Sequence, residues 1–125
     1  YMILAYPNVP IATVSSYKAL PPIARSDILT RLAHLDKLVI SLKSGRPVEE
    51  WAPLLFNRLE QAQLQELARV EQARTILERL GARGVRMSGS GSSVFGFVAS
   101  HAEGERMLKR LQAYPWKVFL TCCNG

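Results

Sequence analysis

Ser88-Gly-Ser-Gly-Ser-Ser93 is the densest run of hydroxyls and unhindered backbone in the chain. Gly89 and Gly91 permit positive φ and let another group approach the backbone closely. Successive N–H groups in such a turn can form an anion-binding nest, and the serines add further donors and acceptors. Two readings follow from the residue types: a loop that faces phosphate, or a polar hairpin turn. Two established phosphate patterns do not fit. A P-loop needs Gly-Lys-Ser/Thr, and no lysine follows either glycine. A dinucleotide fingerprint needs a third glycine and a following helix, whereas Val94 stands there and opens an apolar run typical of a strand.

The remaining candidates are sparser. Thr13 and Tyr17-Lys18 put a hydroxyl, an aromatic ring and a cation within about one and a half helical turns. Core packing is the ordinary fate of such a tyrosine. His34 and His101 have no cysteine or serine partner in view, so surface or capping roles are expected for both. The carboxylates at 49, 50, 60, 66 and 71 read as solvated helix faces. No catalytic acid–base pair and no metal set can be assembled from the sequence. Val94-Phe-Gly-Phe-Val98 resembles the centre of an RNA-recognition strand. Ser93, Val94 and Ser100 replace its basic residue, its glycine and its last aromatic, so nucleic acid is not the expected partner.

The elements that must position these residues follow from periodicity and punctuation. Residues 1–6 form an apolar, aromatic strand that ends at Pro7-Asn8. Thr13 is expected to cap a short helix over 14–20, stopped by Pro21-Pro22. Ser26 or Asp27 is expected to cap a longer helix. Its Ile28, Leu32, Leu35, Leu38, Val39 and Leu42 keep the 3.6-residue period of a buried stripe, and Gly45 lies just past its end. Pro47 with Glu49 and Glu50 marks another start, which Pro53 either kinks or restarts at Leu54. A further helix is expected to turn Leu64, Leu67, Ala68, Ile76, Leu77 and Leu80 inward and to end at Gly81. After the Ser/Gly hairpin, Ser100-His-Ala-Glu103 has capping-box spacing and opens a helix burying Met107, Leu108 and Leu111. A strand over 117–121 closes the chain.

The order strand, helices, strand, strand, helix, strand predicts an α+β domain of the ferredoxin-like, split βαβ type. Its sheet is four-stranded and antiparallel, with helices on one face and extra helices inserted after the first strand.

A chain of 125 residues, 48% hydrophobic and 21% charged, has the composition of one ordinary globular domain. Its formal charge of +6 favours anionic partners. No apolar run has the length of a membrane span, so no membrane partner is expected. The adjacent Cys122 and Cys123 have no zinc-ligand spacing and suggest a reducing, cytoplasmic setting. The opening residues read as a strand entered at its start, which suggests a piece of something larger.

Met87-Ser-Gly-Ser-Gly-Ser-Ser-Val-Phe-Gly96 resembles the third motif of the GHMP small-molecule kinases. Three further stretches resemble the branch acting on a cytidine-diphosphate-linked sugar alcohol in non-mevalonate isoprenoid synthesis. They are Pro7–Thr13 through Tyr17-Lys18, the element Asn57-Arg-Leu-Glu60, and Gly81–Met87 leading into the loop. The resemblance covers essentially the whole chain and implies the C-terminal domain of a two-domain, ATP- and Mg2+-dependent kinase. The ATP-binding motif and the catalytic Asp and Lys would then lie in an N-terminal domain absent from this chain. The fragment alone would be inactive, with no catalytic residue of its own and no cofactor bound by itself. The same likeness implies that Tyr17 stacks on cytosine, that Thr13 contacts the sugar-alcohol side, and that Ser88, Gly89, Ser90, Gly91, Ser92 and Ser93 form a bracing loop at the domain interface. Arg58 stands where the family usually has Asp, which reverses a charge in the 57–60 element. Ala12 replaces a frequent Ser. Homoserine- or mevalonate-type substrates, or a free-standing ligand-binding module, are the alternatives.

Overall fold

The structure is a computed structural model and describes residues 1–123. The elements are β1 (Met2–Tyr6), α1 (Thr13–Lys18), α2 (Arg25–Lys43), α3 (Val48–Trp51), α4 (Leu67–Arg79), β2 (Arg83–Met87), β3 (Val94–Phe97), α5 (His101–Leu111) and β4 (Lys117–Thr121). The four strands make one antiparallel sheet in the order β2-β3-β1-β4. This is the expected split βαβ arrangement, with α1, α2 and α3 in the first crossover.

Alternation along the strands sets the two faces. Ile3 and Ala5 of β1, Val85 and Met87 of β2, and Val94 of β3 are buried on one side. There α4 contributes Val70, Ala73 and Leu77, and α5 contributes Met107 and Leu111. The second face carries Leu4, Phe95, Phe97 and Phe119, partly open to solvent. The inserted segment reaches this face, for the Trp51 ring stands edge-on to Phe97 at 5.0 Å. Close helix–sheet approach depends on Gly104, where an added Cβ would fall 2.4 Å from a Leu120 methyl.

Local signals held where their partners were local. Ser100 accepts from the Glu103 N–H, and the Glu103 carboxylate reaches back to the Ala99 N–H at 2.6 Å. The box is thus closed one residue earlier than the sequence pattern implies. Elsewhere the caps differ. Helix α2 begins at Arg25 with Ala24 as its cap residue, so Ser26 and Asp27 lie in its first turn. Helix α3 ends at Trp51, and a 3₁₀ turn over Ala52–Leu54 absorbs Pro53 before the chain turns extended at Leu55. Leu64 lies before α4 and Ala68 is exposed on it, and Val70 and Ala73 are buried with Leu77 instead.

The main departure is α2. Its helix is present, but none of its residues is fully buried. Leu32, Leu35, Ile40 and Leu42 are all more than half exposed. The residues least open to solvent are His34, Leu38 and Ser41, so of the expected apolar stripe only Leu38 turns toward the domain and the rest faces outward. Periodicity identifies a stripe; it does not say what covers it.

Among the described residues no helix is long and apolar enough to cross a membrane. The Gly104 contact gives a direct test of the packing. Gly104→Val should destabilise the domain by about 2 kcal/mol, because overpacking outweighs the propensity gained by removing a helical glycine. Urea denaturation should show part of this loss recovered when Leu120→Ala is added; simple additivity would mean that the two sites do not touch in solution.

Candidate functional site

The Ser/Gly loop is a hairpin connection whose shape is fixed from outside as well as from within. Internally, Ser88 N–H donates to the Ser93 carbonyl at 2.8 Å and Gly91 N–H donates to the Ser88 carbonyl at 3.1 Å. Gly89 (φ 57°) and Gly91 (φ 96°) both lie in the left-handed region that disfavours side chains. They are otherwise unlike. A Cβ on Gly89 would meet nothing within 4 Å, whereas one on Gly91 would come within 2.9 Å of Ile11 Cδ1 and Met87 Sδ. Gly89 is therefore the open crest of the loop, and Gly91 is its packed shoulder.

Two clasps hold the loop. The first is Asn57, which opens a 3₁₀ turn over Arg58–Gln61. Its Nδ2 donates to the Met87 carbonyl at 2.9 Å and to the Gly89 carbonyl at 2.8 Å, while its Oδ1 accepts from the Leu59 N–H at 3.0 Å. One amide side chain thus ties three backbone points together and uses both donor hydrogens. Three residues on, Glu60 Oε1 accepts from the Met87 N–H at 2.7 Å and its carboxylate lies 3.7 Å from Arg74. Glu60 is therefore not part of a solvated face, as the sequence suggested: its side chain is only 14% exposed. Arg58 points the other way, donating to the Pro21 carbonyl and to Gln61. The reversed charge leaves the clasp untouched.

The second clasp comes from α1. The Thr13 hydroxyl lies 2.9 Å from the Ser90 hydroxyl, and Ser16, buried to 1% exposure, directs its hydroxyl to the Ser90 carbonyl at 3.4 Å. Thr13 does not cap α1. Ala12 occupies the cap position and has no side-chain acceptor to offer, while the Thr13 hydroxyl is engaged across the fold. Tyr17 lies four residues beyond Thr13, on the same side of the helix. It is 62% exposed, so the core role open to it in the sequence is excluded.

The site therefore unites Thr13, Ser90 and the neighbouring loop residues, with Tyr17 one turn away. Ser88 and Gly89 line a cavity of about 270 Å³ on the Asn57 side, together with Leu55, Phe56, Arg86 and Phe95. Ser92 is buried, and its hydroxyl has no partner among the described residues. Sequence reasoning did not foresee Ser16 or the work of Asn57 and Glu60. The only signal for the last two was their spacing in the Asn-x-x-Glu element. Among the described residues, no group of three His, Cys, Asp or Glu side chains could hold a metal ion.

Residues 40–115 match the family model described as GHMP kinases C terminal. The chain is 30% identical over 123 residues to the 4-diphosphocytidyl-2-C-methyl-D-erythritol kinase of Desulfitobacterium hafniense, covering 96% of this chain and 40% of that relative. It is 36% identical over 84 residues to the kinase of the same name from Gloeobacter violaceus, covering 67% of this chain and 28% of that one. The chain thus spans less than half the length of these relatives. Two crystal structures share the fold. A 4-(cytidine 5'-diphospho)-2C-methyl-D-erythritol kinase superposes with a TM-score of 0.68 at 23% identity, over 94% of this chain and 40% of that one. A homoserine kinase from Cytophaga hutchinsonii gives 0.71 at 21%, over 94% and 39%.

The clasp geometry separates three substitutions. Asn57→Asp should destabilise by about 2 to 3 kcal/mol, since it keeps the acceptor but sets a carboxylate against two carbonyls that lose their donor. Gly89→Ala should cost about 1 to 2 kcal/mol, the left-handed penalty alone. Gly91→Ala should cost more, because it adds a clash. Chemical denaturation of the three variants gives the ranking; equal losses at the two glycines would contradict the crest-and-shoulder arrangement.

Proposed function

The chain belongs to the GHMP kinase family, as the part that the family model describes as C-terminal, and on this basis we propose that it is the substrate-binding half of a 4-diphosphocytidyl-2-C-methyl-D-erythritol kinase. In this reading residues 1–125 form the C-terminal domain of a longer cytoplasmic enzyme. The nucleotide site, the catalytic acid–base residues and the Mg2+ site lie in an N-terminal domain outside this sequence. The reaction is transfer of the γ-phosphoryl group of ATP to a sugar-alcohol hydroxyl. The hydroxyl oxygen bonds to phosphorus as the bond to the bridging oxygen breaks, and the hydroxyl proton passes to a base on the other domain. Positioning and charge stabilisation carry most of the catalysis in such transfers.

The observation that carries the reading is the contact between Thr13 and Ser90. It joins the helix bearing the exposed Tyr17 to the glycine loop, so a base stacked on Tyr17 and a phosphate acceptor near the loop share one frame. Tyr17 supplies the π-face for cytosine, Thr13 meets the sugar-alcohol side, and Ser88–Ser93 brace the phosphate loop of the other domain. Gly89 suits that last role, since its open crest leaves room for a neighbouring backbone. A homoserine- or mevalonate-type acceptor is the second reading, favoured by the fold shared with homoserine kinase. It makes no use of an exposed aromatic at position 17.

Two measurements test the proposal. The 125-residue chain alone should show no ATP-dependent phosphorylation of the cytidine substrate by phosphorus NMR; turnover would place the catalytic groups inside it. In the longer protein, Tyr17→Ala should raise KM for the cytidine substrate about ten-fold, the loss of one stacking contact of about 1–3 kcal/mol. The KM for ATP should stay within two-fold, and equal changes in both would remove Tyr17 from the base site.

A further inference from the structure

The outward stripe of α2 is not uniform. Between it and the segment 54–58 lie two adjoining compartments of one groove. The larger, about 430 Å³, is apolar and lined chiefly by Ile28, Leu32, Leu35, Leu38 and Leu54. The smaller, about 230 Å³, is polar and lined by Pro21, Asp27 and Gln61. Ile23, Arg31, Phe56 and Arg58 border both compartments and so mark their junction. Volumes of this size suit a small ligand, for which a largely apolar pocket with a few polar groups is the usual composition.

The charges at the junction favour one class of ligand. The Arg31 guanidinium lies 3.8 Å from the Phe56 ring centroid, which fixes its plane without neutralising it. Arg58 spends two donors on the neutral Pro21 carbonyl and the Gln61 amide oxygen. Neither arginine has an ion-pair partner among the described residues. Asp27 at the polar end is the opposing charge, one carboxylate against two guanidinium groups. His34 Nδ1 is buried beside the apolar compartment with no partner. Arg58, the residue that departs from the glycine-loop clasp, thus has a place of its own in this groove.

We propose that the groove between α2 and Phe56 binds a small, soluble amphipathic anion, its aliphatic part along Leu32, Leu35, Leu38 and Leu54 and its carboxylate or phosphate head between Arg31 and Arg58. The groove shares Phe56 with the cavity beside the glycine loop, and the proposal does not depend on the kinase reading.

The test is a titration of the 125-residue chain, followed by leucine-methyl NMR, with monomeric decyl phosphate, decanoate, decanol and inorganic phosphate. Both anionic amphiphiles should bind at least ten-fold more tightly than decanol, and inorganic phosphate should leave the methyl signals unmoved. Arg31→Gln and Arg58→Gln should each weaken decyl phosphate about ten-fold while leaving decanol within two-fold, which guards against misfolding as the cause. Leu35→Lys should weaken both ligands. Equal affinity for decanol and decyl phosphate would overturn the proposal, as would arginine variants without effect. So would binding to phosphatidylglycerol vesicles without binding of the monomers, or a dimer in sedimentation that decyl phosphate fails to dissociate.

Discussion

The side-chain amide of Asn57 is the constraint on which the candidate site depends. It donates to two carbonyls on either side of Ser88 and accepts from the turn that carries Glu60. Without it, two loop carbonyls would lose their protein partner, and a glycine-rich turn has little intrinsic preference to fall back on. Glu60 adds the complementary contact at the Met87 N–H, so donor and acceptor of that one peptide region are both engaged. A loop made of residues with the greatest backbone freedom is thereby held by side chains that begin far outside it.

The opposite side of the loop is held by α1 through Thr13, Ser16 and Ser90. These contacts are between hydroxyls and carbonyls, which are individually modest. Their value lies in alignment. Helix α1 has only six residues and no side-chain cap, so its position owes more to Ser16 buried against the loop than to helical propensity. Tyr17 inherits its orientation from that anchor. The surface that it offers is thus a property of the loop and the helix together.

Much of the scaffold was legible because its causes are local. The strand order followed from the sequence of elements, and β4 and the Ser100–Glu103 cap followed from patterns only a few residues long. The glycine loop could be located for the same reason, and Thr13 meets it at Ser90. What could not be read depends on distant partners. Asn57 and Glu60 bond to residues 27 to 32 positions away, and in the sequence they appear only as breaks in an apolar pattern. Thr13 has the chemistry of a cap but meets a hydroxyl 77 positions away. Helix α2 shows the converse case. Its stripe was visible, but the side of the helix that meets the rest of the domain carries His34, Leu38 and Ser41, and amphipathicity alone assigns no partner.

The strand order also carries a consequence for the chronology of folding. Strand β1 is the first element of this sequence, yet it lies inside the sheet, between β3 and β4. Met2 meets Phe97 on one side and Thr121 on the other. During synthesis, β1 must wait for β3 and then β4 to emerge before it can take its place between them, and it closes the largest loops in the fold when it pairs. High contact order of this kind slows folding and prolongs the exposure of unpaired backbone. The β2–β3 hairpin pairs strands adjacent in sequence, and the Asn57 and Glu60 that hold its glycine loop precede it, so it can form beforehand. The glycine-rich turn is thus available as a template when the first strand finally pairs.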